Sequence, residues 1–303
     1  MQQRTLVKSY SFEGKGLHTG RFVRMAVGPA PADTGIRFRR TDLGPDAFVD
    51  ALAENVSSTA RSTTISRGKV KVGTIEHILS ALTGLGIDNA LIEIDGPEVP
   101  ILDGSARVYL EAIAPDGAVE QDAPRRWVEL SGPVELSNPK TGSSIRIEPS
   151  DRPLYDVTID FNSRVLGVQR VQWDDETDYC SQIGICRTFC FFHEILRMAL
   201  FGLVKGGDVN NAIVIVEKPT KPRQLARMAR LFNQEEGLTV TPEGYLGNIK
   251  LRFPDECGRH KLLDLIGDLR LSGGFLKARV TAYKPGHRLN TGAAKQIREI
   301  IKR

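Results

Sequence analysis

The stretch Glu76–Ile94, EHILSALTGLGIDNALIEI, decides the fold, and it has a counterpart at Arg259–Val280, RHKLLDLIGDLRLSGGFLKARV. Each reads as an apolar helix opened by a histidine, then a glycine-containing turn, then a strand. In the first, Ile75, Ile78, Leu79 and Leu82 follow the i, i+3, i+4, i+7 spacing of a buried helical stripe, and Thr74 is a residue type suited to cap it. In the second, Leu262, Leu263, Ile266 and Leu269 make the stripe. Any two amphipathic helices can align this well. An internal duplication, with two similar domains packed on their helix faces, would bring the two histidines together.

The same order extends outward from both stretches. TLVKSYSF, RFVRMAV and GIRFRR precede the first helix, and WVELSG, SIRIEP and YDVTIDF precede the second, all with strand-like alternation. NALIEID and FLKARVTAY close the two halves as strands. The expected class is therefore α+β: two similar domains, each a β-sheet layer, with helices packed between the domains. The polar segment Pro115–Pro124, PDGAVEQDAP, marks the boundary, giving an N-terminal domain over 1–120 and a C-terminal domain over 121–303. GVQRVQW, FHEILRMALFGLV and NAIVIV suggest a βαβ-like insertion at about 164–216 in the second half. A longer connection over 217–250 contains the helix-like RQLARMARLFNQ.

With 303 residues, 41% hydrophobic and 26% charged, the chain has the balance of a water-soluble protein of two ordinary domains. Its net charge of +4 is spread without blocks of like charge, which points to an anionic small molecule and away from nucleic acid. The start lacks the apolar core of a signal peptide, and no apolar run approaches the ~20 residues of a membrane span, so a cytoplasmic location is expected. Cys180, Cys186, Cys190 and Cys257 are too few and too clustered for a disulfide framework. Reduced thiols are the expectation, and the Cys186 to Cys190 spacing provides neither a CxxC pair nor matching ligands for a second metal.

Glu76 and His77 fall in the first turn of the first helix, beside its apolar face. An adjacent Glu-His pair is by itself more often surface or cap chemistry. On the second helix His260, Asp264 and Asp268 recur every four residues and share one ridge. A His and an Asp one turn apart can both face one metal, and a histidine from elsewhere would complete three ligands with an open fourth position. Taken alone, the ridge is more often a solvated polar face. Of the remaining histidines, His18 lies in the turn GKGLHTG, where packing is expected, and His193 follows an aromatic run, where a local partner is expected. His287 sits in KPGHRLNTG directly after a strand, a rigid place from which to present an imidazole.

Taken together, TIEHILSAL, EVPILDGSA, CRTFCF, KGGDVNNAIV, RHKLLDLIGDL and YKPGHRLN resemble the UDP-3-O-acyl-N-acetylglucosamine deacetylases, the zinc amidases of lipid A biosynthesis. The resemblance runs in order from QRTL near the start to about residue 290. It implies one catalytic Zn2+ on His77, His260 and Asp264, with Glu76 as the general base that activates the zinc-bound water. It assigns His287, paired with Asp268, to the oxyanion and the leaving amine, and places Thr188 and Lys261 at the reacting centre. The implied substrate is a UDP-linked N-acetylglucosamine with a hydroxyacyl chain at O3, which loses its acetyl group. Asp160 and Phe161 match sugar-contacting positions, Lys284 a phosphate partner, and Phe189, Phe191, Ile195 and Val204 the acyl passage.

The sequence departs from many relatives at Cys190, where they have Gly, and at Ser163-Arg164, where they have His-Pro. Both departures touch the preferred acyl length rather than the zinc chemistry. The 217–250 connection resembles the subgroup fused to a hydroxyacyl-carrier-protein dehydratase, so that enzyme, fused or separate, is an expected partner. Peripheral contact with the inner membrane suits an amphiphilic substrate. Two alternatives stand beside this reading: a zinc amidase acting on peptides or another N-acyl sugar, and a non-catalytic module with a structural metal or none.

Overall fold

The strand after each histidine-led helix takes the central place in its sheet. In the first half Tyr10–Lys15 pairs antiparallel with Phe22–Pro29, and Phe22–Pro29 pairs antiparallel with Ala90–Ile94. Ala90–Ile94 then runs parallel to Ile36–Arg40, which closes antiparallel with Phe48–Asp50. The second half repeats the pattern. Val134–Asn138 pairs with Ser143–Pro149, which pairs with Phe275–Tyr283, all antiparallel; Phe275–Tyr283 runs parallel to Leu154–Asp160, which pairs antiparallel with Val168–Asp174. Chance alignment of two helices would not reproduce a hairpin, a late central strand and a second hairpin in one order. The chain is a duplicated α+β fold. The computed structural model describes residues 1–195, 206–208, 211–231, 234, 237–247 and 250–302.

Burial explains why those two strands are central. Ala90, Ile92 and Ile94 alternate inward, as do Leu276, Ala278, Val280 and Ala282, so each strand presents one apolar face to the helices. The Glu76–Gly84 and Glu256–Leu269 helices pack on each other across the junction of the halves. Ile75, Ile78, Leu79 and Leu82 from one, and Leu262, Leu263, Ile266 and Leu269 from the other, are fully buried in one continuous core. At roughly 1.5–3 kcal/mol for each such side chain, this contact is a main source of stability. The helices meet closely at Gly267, where a Cβ would lie 2.0 Å from the Glu76 carbonyl oxygen.

Several local expectations are corrected. The Pro115–Pro124 boundary segment contains a strand: Ala118–Pro124 is paired antiparallel with Gln2–Leu6. Its side chains are largely solvent-facing, so a two-stranded ribbon reads like a connection. Val168–Asp174 belongs to the six-stranded sheet rather than to the insertion. The insertion is narrower than 164–216, its strands being Phe189–Phe191 and Ile213–Ile215, paired in parallel. Val204 lies outside the described residues. The second interface helix starts at Glu256, ahead of Arg259, and the connection's helix spans Pro222–Leu231.

Thr74 does not cap its helix. It adopts φ 57, a strained conformation for a β-branched residue, and its hydroxyl donates to Glu98 Oε1 at 2.9 Å. The first half also carries a three-stranded addition, Val56–Ser58, Thr64–Arg67 and Val70–Val72, whose residues Arg61 to Thr63 reach the functional site. No described helix is long and apolar enough to cross a membrane.

Replacing Gly267 by Ala is expected to force the two helices apart and lower stability by about 1–3 kcal/mol. Denaturant unfolding measures this, and an unchanged midpoint would mean that the close approach is dispensable.

Candidate active site

The packing of the two helices buries four polar side chains at one point. Glu76, His77, His260 and Asp264 are 3, 5, 1 and 2% exposed. The His77 and His260 rings stand edge to face with centroids 5.0 Å apart. Asp264 Oδ1 lies 3.6 Å from His77 Nε2 and 3.4 Å from His260 Nε2. These two distances match the roughly 3.4 Å edge of a tetrahedron whose ligand atoms sit about 2.1 Å from a central ion.

Protonation supplies the stronger argument that a cation belongs there. His260 Nδ1 is 3.0 Å from the Cys186 carbonyl oxygen, which only accepts, so Nδ1 carries the proton. Burial lowers the His260 pKa to about 3, outweighing the pull of Asp264. The ring is neutral, and its Nε2 lone pair faces the carboxylate. Asp264 Oδ1 is itself buried without a hydrogen-bond partner. Two buried acceptors opposed in this way are unfavourable unless a cation sits between them. Among the described residues His77, His260 and Asp264 form the group able to hold a metal ion.

The other carboxylate oxygen, Asp264 Oδ2, accepts a 2.7 Å hydrogen bond from Lys261 Nζ. Burial would raise the Asp264 pKa, but Lys261 and the nearby imidazoles hold it well below the usual carboxylate range. Lys261 also lies over the Phe189 ring, 5.6 Å from its centroid. Burial raises the Glu76 pKa against the opposing influence of His287 and His77. Glu76 Oε2 accepts from the Thr63 amide at 2.9 Å, while Oε1 is 4.0 Å from His287 Nε2.

His287 starts the helix His287–Ile301, immediately beyond the central strand. Its Nδ1 is 2.9 Å from Asp268 Oδ2. Burial alone would lower its pKa; Asp268, Glu76 and Asp264 more than offset this and raise it to about 9. Asp268 is fixed in turn by Asn290 Nδ2 at 2.9 Å and by the Thr63 hydroxyl. One threonine thus holds Glu76 and Asp268 together.

These groups open onto a cavity of about 240 Å³, also lined by Phe161, Thr188, Phe189 and Phe191. Phe161 packs edge-on against Phe189, with centroids 5.4 Å apart, and lies 5.8 Å from Phe191. A smaller cavity of about 90 Å³ shares Thr188 and Phe189 with it and continues to Ile195 and Val214. Asp160 and Lys284 are brought together at 3.1 Å, with the Tyr283 hydroxyl donating to Asp160, but neither lines the metal-site cavity. Lys284 instead borders an adjoining groove with Lys140, Arg288 and His287.

Sequence reasoning missed part of the cavity wall. His18, expected to serve packing, lines both cavities, and its Nε2 is buried without a partner. The Glu98 carboxylate accepts from the amides of His18 and Thr19 at 2.9 and 2.8 Å, besides Thr74. It thereby joins the GKGLHTG turn to the segment before Glu76. Glu98 was visible as a lone acid in the otherwise apolar EVPIL run. Thr63 and Asn290 had no comparable signal. Gly104, in the same motif, has φ +80, and a Cβ there would meet the Asn211 carbonyl oxygen at 1.9 Å, so DGSA serves to dock the insertion.

Residues 3–230 and 223–299 match the family model described as LpxC, UDP-3-O-acyl N-acetylglycosamine deacetylase. The bifunctional enzyme LpxC/FabZ of Porphyromonas gingivalis is 40% identical over 301 residues, covering 99% of this chain. That of Bacteroides thetaiotaomicron is 39% identical over 302 residues, covering 100% of it. The chain spans 65% of the length of each of these two relatives. The UDP-3-O-acyl-N-acetylglucosamine deacetylase of Anaeromyxobacter is 40% identical over 298 residues, covering 97% of this chain and 88% of that protein. With matches of this extent, the chain belongs to the UDP-3-O-acyl N-acetylglycosamine deacetylase family, whose members are metalloenzymes.

Proposed function

We propose that this chain removes the N-acetyl group from UDP-3-O-(3-hydroxyacyl)-N-acetylglucosamine, releasing acetate, with His77, His260 and Asp264 holding Zn2+. The observation that carries the reading is the partnerless Asp264 Oδ1 opposed to two histidine nitrogens. Zinc supplies there a Lewis acid for the amide carbonyl and a lowered pKa for water, toward ~7.

The protein's own groups then divide the proton transfers. Glu76, buried and of raised pKa, takes a proton from the attacking water as the new C–O bond forms. His287 is a cation at neutral pH because Asp268 and its neighbours raise its pKa. It stabilises the oxyanion and gives its proton to the nitrogen as the C–N bond breaks. Thr188 and Lys261 face the same cavity, and both add donors for the developing negative charge.

The substrate's parts map onto the surroundings of the site. Phe161, Phe189 and Phe191 give the sugar and the start of the acyl chain an apolar wall. The chain continues toward Ile195. Lys284, beside Lys140 and Arg288, faces the diphosphate, and Asp160 orients Lys284. We retain the division at about residue 120 into two domains, the first bringing Glu76 and His77 and the second His260, Asp264 and His287. A cytoplasmic location and a hydroxyacyl-carrier-protein dehydratase, fused or separate, complete the proposal; the bifunctional relatives support the latter.

Deacetylation of the UDP-sugar, followed with and without a chelator, tests the reading directly: turnover should disappear on metal removal and return with zinc. Activity that survives in metal-free protein overturns it. Glu76→Ala should keep stoichiometric metal and lose about 10²–10⁴-fold in kcat, whereas Asp264→Ala should lose the metal. Elemental analysis of both variants checks the two roles.

A pH dependence follows from His287. Its folded pKa lies above the ordinary value near 6.5, so its ion pair with Asp268 stabilises fully below about 6.5, and that contribution is lost as pH rises through about 9. The alkaline limb of kcat should fall through the same range. Asp268→Asn should shift that limb to lower pH, and an unmoved limb would remove His287 as the acid.

A further inference from the structure

The connection between the insertion and the second interface helix carries a feature that the active site does not use. From Lys218 to Leu231, KPTKPRQLARMARL, there are five cations and no acid. Arg223, Arg227 and Arg230 fall at i, i+4 and i+7 of the helix Pro222–Leu231, so they share one ridge. All three are exposed, as are Lys218 and Lys221 in the approach to the helix. The opposite face is apolar. Met228 and Ala229 are buried, and Met228 and Leu225 pack on Phe192, Ile195, Val214, Val216 and Leu246.

This small core is the wall of the narrower cavity. Ile195 and Val214 line that cavity on their other side, and the cavity shares His18, Arg61, Thr188 and Phe189 with the metal site. The helix that carries the arginine ridge thus packs against the wall of the apolar end of the active site. Two acids, Glu235 and Glu236, follow the helix in sequence and lie outside the described residues. Among the described residues none of the five cations is in an ion pair. Glu217 is turned toward Ser163 and the Arg164 amide, and Glu243 lies across a groove from Lys218.

We propose that the Lys218–Arg230 face docks the protein reversibly on an anionic lipid surface. The charges suit such a surface: each Lys or Arg near an anionic bilayer adds a favourable increment that decays within about 10 Å at 0.1 M salt. The apolar face is committed to the protein's own core, so the contact is electrostatic and superficial, without insertion of the helix. The surface explains why a basic ridge is built over the apolar cavity. An amphiphilic molecule taken from a bilayer would meet the protein close to where its chain is to be held. That last point rests on the function proposed above; the docking itself does not.

The experiment is sedimentation of the full chain with vesicles, which is independent of catalysis. Binding is expected to vesicles of phosphatidylglycerol with phosphatidylethanolamine, to be near background on phosphatidylcholine alone, and to weaken about tenfold or more when salt rises from about 0.05 to about 0.5 M. The triple variant Arg223→Gln, Arg227→Gln, Arg230→Gln should lose about tenfold or more in vesicle affinity. The corresponding triple Lys variant, which keeps the charge, should retain binding, and circular dichroism with kcat on detergent-dispersed substrate verifies that both variants are folded. Equal binding to the two kinds of vesicle, or unchanged binding by the Gln variant, overturns the proposal. So does capture of an acidic acyl-carrier protein by the ridge in the absence of any vesicle binding. Loss of deacetylation in the unmodified chain would count against the proposed function alone and leave the docking result standing.

Discussion

Everything at the centre of this molecule depends on how closely two helices approach. Gly267 lets the second helix come against the backbone of Glu76, and that contact sets His77 beside His260 and Asp264. Were the helices held apart by an ordinary side chain, Asp264 Oδ1 would no longer lie at tetrahedral-edge spacing from His77 Nε2 and His260 Nε2. The apolar stripes supply the driving force for association, but they are non-directional. The glycine gives the packing its distance.

A second constraint is protonation. The Cys186 carbonyl commits His260 to one tautomer, and Asp268 commits His287 to its charged form. Two imidazoles that are chemically identical in the sequence thus have their pKa values pushed in opposite directions, one down and the other up. Their environments separate them: one ring is buried against a backbone acceptor with a single carboxylate beside it, while the other is surrounded by three carboxylates. Thr63 adds a cross-link, tying Glu76 and Asp268 to a small sheet that only the first half possesses.

The duplicated topology accounts for why a single site can draw on both halves. Each half places a helix ahead of its central strand, and each helix carries a histidine toward its N-terminal end. Joining two such units on their helix faces buries both histidines together and leaves the later elements to differ. The second half adds His287 after its central strand and the insertion beside Phe189, whereas the first half adds the Glu98 node and the turn that presents His18. The insertion is docked on the first half at Gly104 and Asn211, so the cavity walls come from both halves.

The residue pattern by itself determined the two helices, the strands that follow them and the ridge of His260, Asp264 and Asp268, and it suggested the duplication, because periodicity is a local property and the spacings were strict. Joined to the resemblance of six ordered motifs, it also named His77, His260, Asp264 and Glu76, which the structure brings together at one buried point. What only the tertiary structure decided were relations between distant segments. Ala118–Pro124 looked only like a polar boundary because its side chains face water, although its backbone is paired with Gln2–Leu6. Val168–Asp174 looked like part of an insertion because pairing partners are not encoded in a strand's own alternation. His18 looked like packing because nothing near it in sequence reveals which cavity its ring will face. Long-range contacts fix these outcomes, and a window of ten residues does not contain them.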